Sequence, residues 1–126
     1  MNTEKFSSEQ LQQIDQADDL KISPFREDGV TYGTPTWIWE VIVEGNLYVR
    51  AYNGTSSRWY QAALKQKAGR IHAAGIIKNV SFEPVFEKNL NEKIDRAYQS
   101  KYNESPYMTH MISGGARSAT MKIQLI

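Results

Sequence analysis

The chain is expected to be a mostly β protein: a six-stranded antiparallel split β-barrel with about three peripheral helices. Three observations predict this. Short segments alternating apolar and polar residues with a period of two are joined by glycine-containing turns. Helical patterns are few, and no long helix follows each strand, which argues against a doubly wound parallel sheet. The 126 residues suffice for one domain with one sizeable core, so residues 1–126 are taken as a single unit. No repeat, linker or low-complexity tract divides it.

The first element is a helix. Ser7 stands where an N-cap is needed and Gln10 at the capping-box position, while Phe6 and Leu11 have the spacing of a hydrophobic staple. Leu11 and Ile14 form one short apolar stripe, and the helix should end near Ala17. Leu20 to Phe25 reads as a strand with Leu20 and Ile22 inward and Pro24 as its stop. Arg26 to Gly29 is a turn, after which Val30 to Tyr32 is expected to resume the pairing.

The stretch from Thr34 to Leu64 organises the rest. Thr36 to Glu44 predicts one long strand, with Trp37, Trp39, Val41 and Val43 on one face and Ile38 and Ile42 on the other. Apolar residues on both faces suit a central strand. Gly45-Asn46 reads as the two-residue hairpin connection. Leu47, Val49 and Ala51 then point one way, and Tyr48, Arg50 and Tyr52 the other. Asn53 to Ser57 is a polar loop whose last residues are good helix caps. A helix should follow from about Arg58 to Ala68, with Trp59, Ala62, Ala63 and Gln66 on one face and Gly69 as its closing C′ residue.

Arg70 to Ala74 and Ile76 to Val85 predict two strands around Gly75, with Ile76, Val80 and Phe82 sharing a face and Pro84 placing an end at a sheet edge. Leu90, Ile94, Ala97 and Tyr98 mark an amphipathic helix over about Leu90 to Tyr102. Glu104 to Arg117 carries Pro106, Gly114 and Gly115 and reads as irregular. Ala119, Met121, Ile123 and Leu125 alternate as a closing strand.

Several function classes lose support. A net charge of +1 gives no electrostatic case for nucleic acid or an acidic membrane surface. The absence of cysteine removes disulfides and thiolate chemistry and suits a cytoplasmic protein. The first residues lack the apolar core of a secretory signal, and no run is long enough to span a bilayer. His72 and His110 are too few and too far apart for a convincing metal site, so no metal is expected.

The residues left for chemistry cluster after the hairpin. Ser56, Ser57 and Arg58 open a helix, where unpaired N–H groups and the helix dipole favour an anion such as phosphate. The plainer alternative is that a serine caps the helix and Arg58 is solvated. Arg50 interrupts an apolar strand between Tyr48 and Tyr52; it is a second phosphate ligand, the partner of Glu40 or Glu44 across the hairpin, or a residue on an exposed face. Trp37 and Trp39 could flank a planar ring, or simply be core, and Trp59 packs by default. No catalytic residue emerges.

The hairpin and the segment Ser56-Ser57-Arg58-Trp59-Tyr60-Gln61-Ala62-Ala63 resemble a bacterial family of unknown function, the one numbered 2255, over about Asp18 to Val85. More remotely, the order is similar to that of flavin-binding split barrels, the pyridoxamine-phosphate-oxidase-like proteins and the deazaflavin-dependent nitroreductases. The matching features are Thr34-Pro35-Thr36-Trp37, the Gly45-Asn46 turn, Tyr48-Val49-Arg50, the polar loop Asn53 to Ser57, and Trp59-Tyr60. The resemblance implies a homodimer with FMN or a deazaflavin in a groove between subunits, and an oxidoreductase activity carried by that cofactor. Arg50, Ser57 and Arg58 would hold the phosphate and Trp37 would border the ring, with Tyr52, Asn53, Ser56 and Trp59 completing the site. The acidic first turn, Arg26-Glu27-Asp28-Gly29, and the lack of an assured second phosphate-binding lysine motivate the alternative, a non-enzymatic module that holds another small ligand.

Overall fold

The computed structural model describes residues 3–126. Seven antiparallel strands form one sheet: β1 Lys21–Pro24, β2 Thr36–Trp37, β3 Glu40–Val43, β4 Asn46–Arg50, β5 Ala68–Ala73, β6 Ile76–Pro84 and β7 Thr120–Leu125. Their order is β2-β1-β5-β6-β7-β4-β3. Around the sheet lie α1 Ser8–Ala17, α2 Arg58–Gln66, α3 Lys88–Lys101 and two single-turn helices, α4 Met108–Met111 and α5 Gly114–Arg117. The mostly β architecture with peripheral helices is the expected one, and the extra strand has a specific origin.

The long strand read over Thr36 to Glu44 is two strands, broken at Ile38-Trp39, and neither is central. β2 pairs with β1 and β3 pairs with β4, so these consecutive strands occupy the two opposite edges of the sheet. Three Cα steps from Trp37 to Glu40 span at most about 11 Å. The sheet must therefore curl until its edges nearly meet, leaving a barrel split along this seam. The Ile38 N–H crosses to the Leu20 carbonyl at 3.1 Å. On the far edge, Tyr98 Oη donates to the Trp39 carbonyl and Lys101 Nζ to the Glu40 carbonyl, so α3 side chains satisfy groups that an open edge would expose.

Alternation along β4 divides the core. Leu47 and Val49 join Ile22, Ile71, Val80, Phe82 and Ile123 inside the curl. Tyr48 faces outward with Val41 and Val43 onto Ile94 and Tyr98 of α3 and Tyr102 just beyond its end. The apolar residues on both faces of the Val41–Val43 segment thus reflect a helix packed behind an edge strand. Helix α1 carries the expected capping box: Ser7 Oγ accepts from the Gln10 N–H, and the Ser7 N–H donates to Gln10 Oε1. Leu11 and Ile14 are its buried residues.

Other boundaries shift for local reasons. The hairpin connection is Glu44-Gly45, not Gly45-Asn46; both residues have positive φ, 52° and 78°, and Asn46 already pairs with Val43. Helix α2 ends at Gln66, and its left-handed cap is Lys67. Its buried residues are Tyr60 and Ala63, whereas Trp59 is only half-buried. Gly69 is not a cap but lies in β5, where a Cβ would press on the Ser23 carbonyl and come within 2.6 Å of Pro24 Cα. Pro84 pairs with Met121 beyond the last β5–β6 partner, Ser81, so its missing N–H breaks no β5 bond.

Candidate functional site

A cavity of about 600 Å³ opens at the seam of the barrel. The two-strand crossover supplies Thr36, Trp37, Ile38 and Trp39; the end of β4 and its loop supply Arg50, Tyr52 and Asn53; the start of α2 supplies Ser57, Arg58 and Trp59; and α4 with its preceding residue supplies Tyr107 and Met111. The volume lies within the range of small-ligand sites, and mostly apolar walls with few polar groups are their usual make-up. Seven of the eight candidate residues, all but Ser56, line this one cavity. Ser56 instead borders a neighbouring depression together with Arg58 and Lys65, and its hydroxyl donates to the Asn53 carbonyl at 3.2 Å.

The polar end is built at the start of α2. Ser57 occupies the N-cap position, but its side chain makes no capping bond. The first intrahelical bond is from the Gln61 N–H to the Ser57 carbonyl. Among the described residues, the N–H groups of Arg58, Trp59 and Tyr60 have no partner. Arg58 is exposed and forms no ion pair among the described residues. The capping alternative for Ser57 is thus not realised, and a hydroxyl, three N–H groups and a guanidinium remain together at one helix end.

Arg50 is neither exposed nor paired across the hairpin. Its side chain is fully buried, and its partner is Asp95 of α3 at 2.5 Å, rather than Glu40 or Glu44. Nε donates to Thr120 Oγ1, Nη1 to Asp95 and to the Met111 carbonyl, and Nη2 to the carbonyl and side-chain oxygen of Asn91. Those five bonds use all five donors of a guanidinium. Arg50 thus borders the cavity with all of these donors engaged by protein groups. Asp95 and Asn91 were not anticipated. They lie on the inner side of α3, and a polar residue beside the Ile94 stripe was the sole sequence signal.

The tryptophans divide as well. Trp37 is 67 % exposed, so it is rim and not core. Trp39 is half-buried and lies behind it, stacked on Tyr102. Tyr52 and Tyr107 meet edge to face across the opening, with ring centroids 6.2 Å apart. Thr36, Ile38, Tyr107 and Met111 were missed; the last two come from a segment without periodicity, which carried no signal.

Behind the seam lies a charged cluster. Lys101 Nζ contacts Glu40, Asp15 at 2.8 Å and Asp18 at 3.4 Å. Glu40 is wholly buried, and its second carboxylate oxygen has no partner among the described residues. Burial pushes its pKa up from 4.5 to about 7, against the Lys101 ammonium. The phenols of Tyr98 and Tyr102 are pushed up, chiefly by burial, and remain neutral.

The fold and the cavity define a mostly β split-barrel protein with an aromatic-walled pocket at its seam. The family model described as "Uncharacterized protein conserved in bacteria (DUF2255)" matches residues 10–123, and the chain belongs to that family. Among solved structures, the conserved hypothetical protein Rv2991 from Mycobacterium tuberculosis is similar in fold. Its TM-score is 0.62 at 11 % identity, over 96 % of this chain and 80 % of that one. No curated protein matches the sequence. Among the described residues, no helix is long and apolar enough to cross a membrane, and no group of acidic, histidine or cysteine side chains has the arrangement of a metal site.

Proposed function

We propose that the seam pocket binds a planar aromatic ligand bearing one anionic group, that this ligand is a flavin nucleotide, either FMN or a deazaflavin, and that the protein is an oxidoreductase. The observation that carries the reading is the convergence of Trp37, Trp39, Trp59, Arg58 and the uncapped start of α2 on one cavity of about 600 Å³. The residues suit the group. Trp37, Ile38, Trp59 and Met111 would border the ring, and Ser57, Arg58 and the first N–H groups of α2 would take the phosphate. A bound flavin would supply the hydride chemistry.

The chain's own contribution is binding, orientation and exclusion of water. No carboxylate or histidine is among the residues that line the cavity, so the phenols of Tyr52 and Tyr107 and the two arginines are its ionisable side chains. A homodimer belongs to the same proposal: a second copy over the opening would cover Trp37 and Tyr107, the latter 60 % exposed.

The second reading, a non-enzymatic module for another small anionic aromatic ligand, is favoured by Arg50. With its donors engaged, Arg58 is the one cavity-lining cation with a free guanidinium among the described residues. Titration with FMN and then a deazaflavin, followed by tryptophan fluorescence, separates the two. Saturable quenching supports the flavin reading. A lack of quenching at high flavin, together with a raised melting temperature on adding another aromatic anion, supports the module.

A further inference from the structure

The end of α4 is held from behind by two arginines that share one carboxylate. Arg50 Nη1 donates to the Met111 carbonyl at 3.1 Å, and Arg117 Nη2 donates to the next carbonyl, that of Ile112, at 3.0 Å. Both guanidiniums close on Asp95: Arg50 Nη1 lies 2.5 Å from Oδ1 and Arg117 Nη2 2.7 Å from Oδ2. The last carbonyls of a helix lack intrahelical partners and carry its negative dipole end, which cations favour. A helix of four residues has no appreciable stability of its own. Its place is therefore set by tertiary contacts: the packing of Met111 against the α3 core residues Ile94 and Tyr98, these bonds at its end, and on its other side His110, whose Nε2 reaches the Tyr52 carbonyl at 2.6 Å. A carbonyl only accepts, so that nitrogen carries the proton.

We infer that Arg50 and Asp95 are positioning residues of the pocket: through the Met111 carbonyl they fix the Tyr107–Met111 wall, and so the width of the ring slot, without touching the ligand. The inference rests on reading the cavity as a ligand site. Arg50 is buried with every donor engaged by protein, so its influence on the cavity passes through what it holds. Asp95 separates two like charges. With its charge removed, Arg50 and Arg117 lose the counter-charge they share, and the Met111 and Ile112 carbonyls lose their common anchor. Arg117 is the outer strap, and its side chain is exposed. Arg117→Gln loosens the Ile112 carbonyl while Arg50 and Asp95 stay paired, so it spares the fold.

The test is amide hydrogen exchange on the free protein, alongside FMN titration, for Asp95→Asn and Arg117→Gln. In Asp95→Asn, amides of residues 107–113 should exchange at least ~10-fold faster while those of β5 to β7 keep their rates, and FMN should bind about tenfold more weakly. Arg117→Gln should give a smaller change in the same direction. Unchanged exchange over 107–113 in both variants overturns the inference. So does acceleration in step with the whole sheet, because that is general destabilisation and not release of one wall. Should Asp95→Asn fail to fold, Arg117→Gln decides by the same readout. If the native protein does not bind FMN, the flavin reading fails, while the exchange pattern still decides whether the clamp sets the wall.

Discussion

Trp39 lies flat on Tyr102, with ring centroids 4.0 Å apart and planes 3° from parallel. The Tyr102 hydroxyl in turn lies 2.6 Å from the Asp18 carboxylate, and Tyr98 Oη donates to the Trp39 carbonyl at 3.1 Å. The indole at the seam is thus fixed by α3 and by the end of α1. Trp39→Ala should remove both the stack and one wall of the cavity, at a cost of about 2–3 kcal/mol in urea unfolding. Trp39→Phe, which keeps a stacking ring, should cost less than half of that.

Glu40 makes stability depend on pH in an unusual direction for a carboxylate. Its folded pKa is raised from 4.5 to about 7, so between those values the folded chain holds a proton that the unfolded chain has lost. Its contribution to stability is full below 4.5 and is lost as pH rises through 7. The charged groups facing it are Lys101, Asp15 and Asp18. Glu40→Gln should flatten this part of the curve. At pH 8 it should stabilise by about 1–2 kcal/mol, the relief from burying a carboxylate less the lost Lys101 pair, which Asp15 and Asp18 partly replace. Denaturant midpoints of both proteins from pH 4 to pH 9 give the comparison; parallel curves contradict it.

At Gly69 the backbone of β5 lies close against that of β1. An added Cβ would meet the Ser23 carbonyl, Pro24 Cα and, at 3.1 Å, the Phe82 ring. Two of these belong to backbone in the sheet and cannot yield cheaply. Gly69→Ala should therefore destabilise by about 3 kcal/mol, seen as a lowered melting temperature. By contrast, Gly114→Ala has nothing within 4 Å of the new Cβ and should have little effect.

Features specified by neighbouring residues were legible in the sequence. The capping box of Ser7 and Gln10 and the alternation of Leu47, Tyr48, Val49 and Arg50 needed no tertiary knowledge. The break at Ile38-Trp39 had no local mark, because apolar residues run through it and barrel closure imposes it. Glu44 takes a left-handed conformation with little preference for it, so the turn fell one residue early. Gly69 resembled a helix stop, while its reason lies across the sheet. The lining of the candidate cavity was largely legible because Trp37, Tyr52, Asn53, Ser57, Arg58 and Trp59 come from one continuous stretch. The true partner of Arg50 is 45 residues away, and the Tyr107–Met111 wall is a helix too short to leave a period.

Arg58 separates binding from folding. The residue is exposed and unpaired among the described residues, so Arg58→Ala should leave the unfolding free energy within about 0.5 kcal/mol of the native protein. If an anionic ligand sits at the start of α2, the same variant should weaken its binding by ~10- to 100-fold, the worth of a charge-assisted hydrogen bond. Calorimetric titration of FMN into both proteins provides the comparison, and equal affinities would remove Arg58 from the site.

Whether a planar anionic ligand occupies the seam cavity is reported directly by the three indole N–H signals in a ¹⁵N–¹H correlation spectrum. On titration with FMN, the signals of Trp37, Trp39 and Trp59 should shift together and saturate at one ligand per chain, with backbone shifts at Ser57 and Arg58 following the same curve. Indole signals that stay in place at saturating ligand, or shifts confined to the β5–β6 hairpin, would contradict that occupancy.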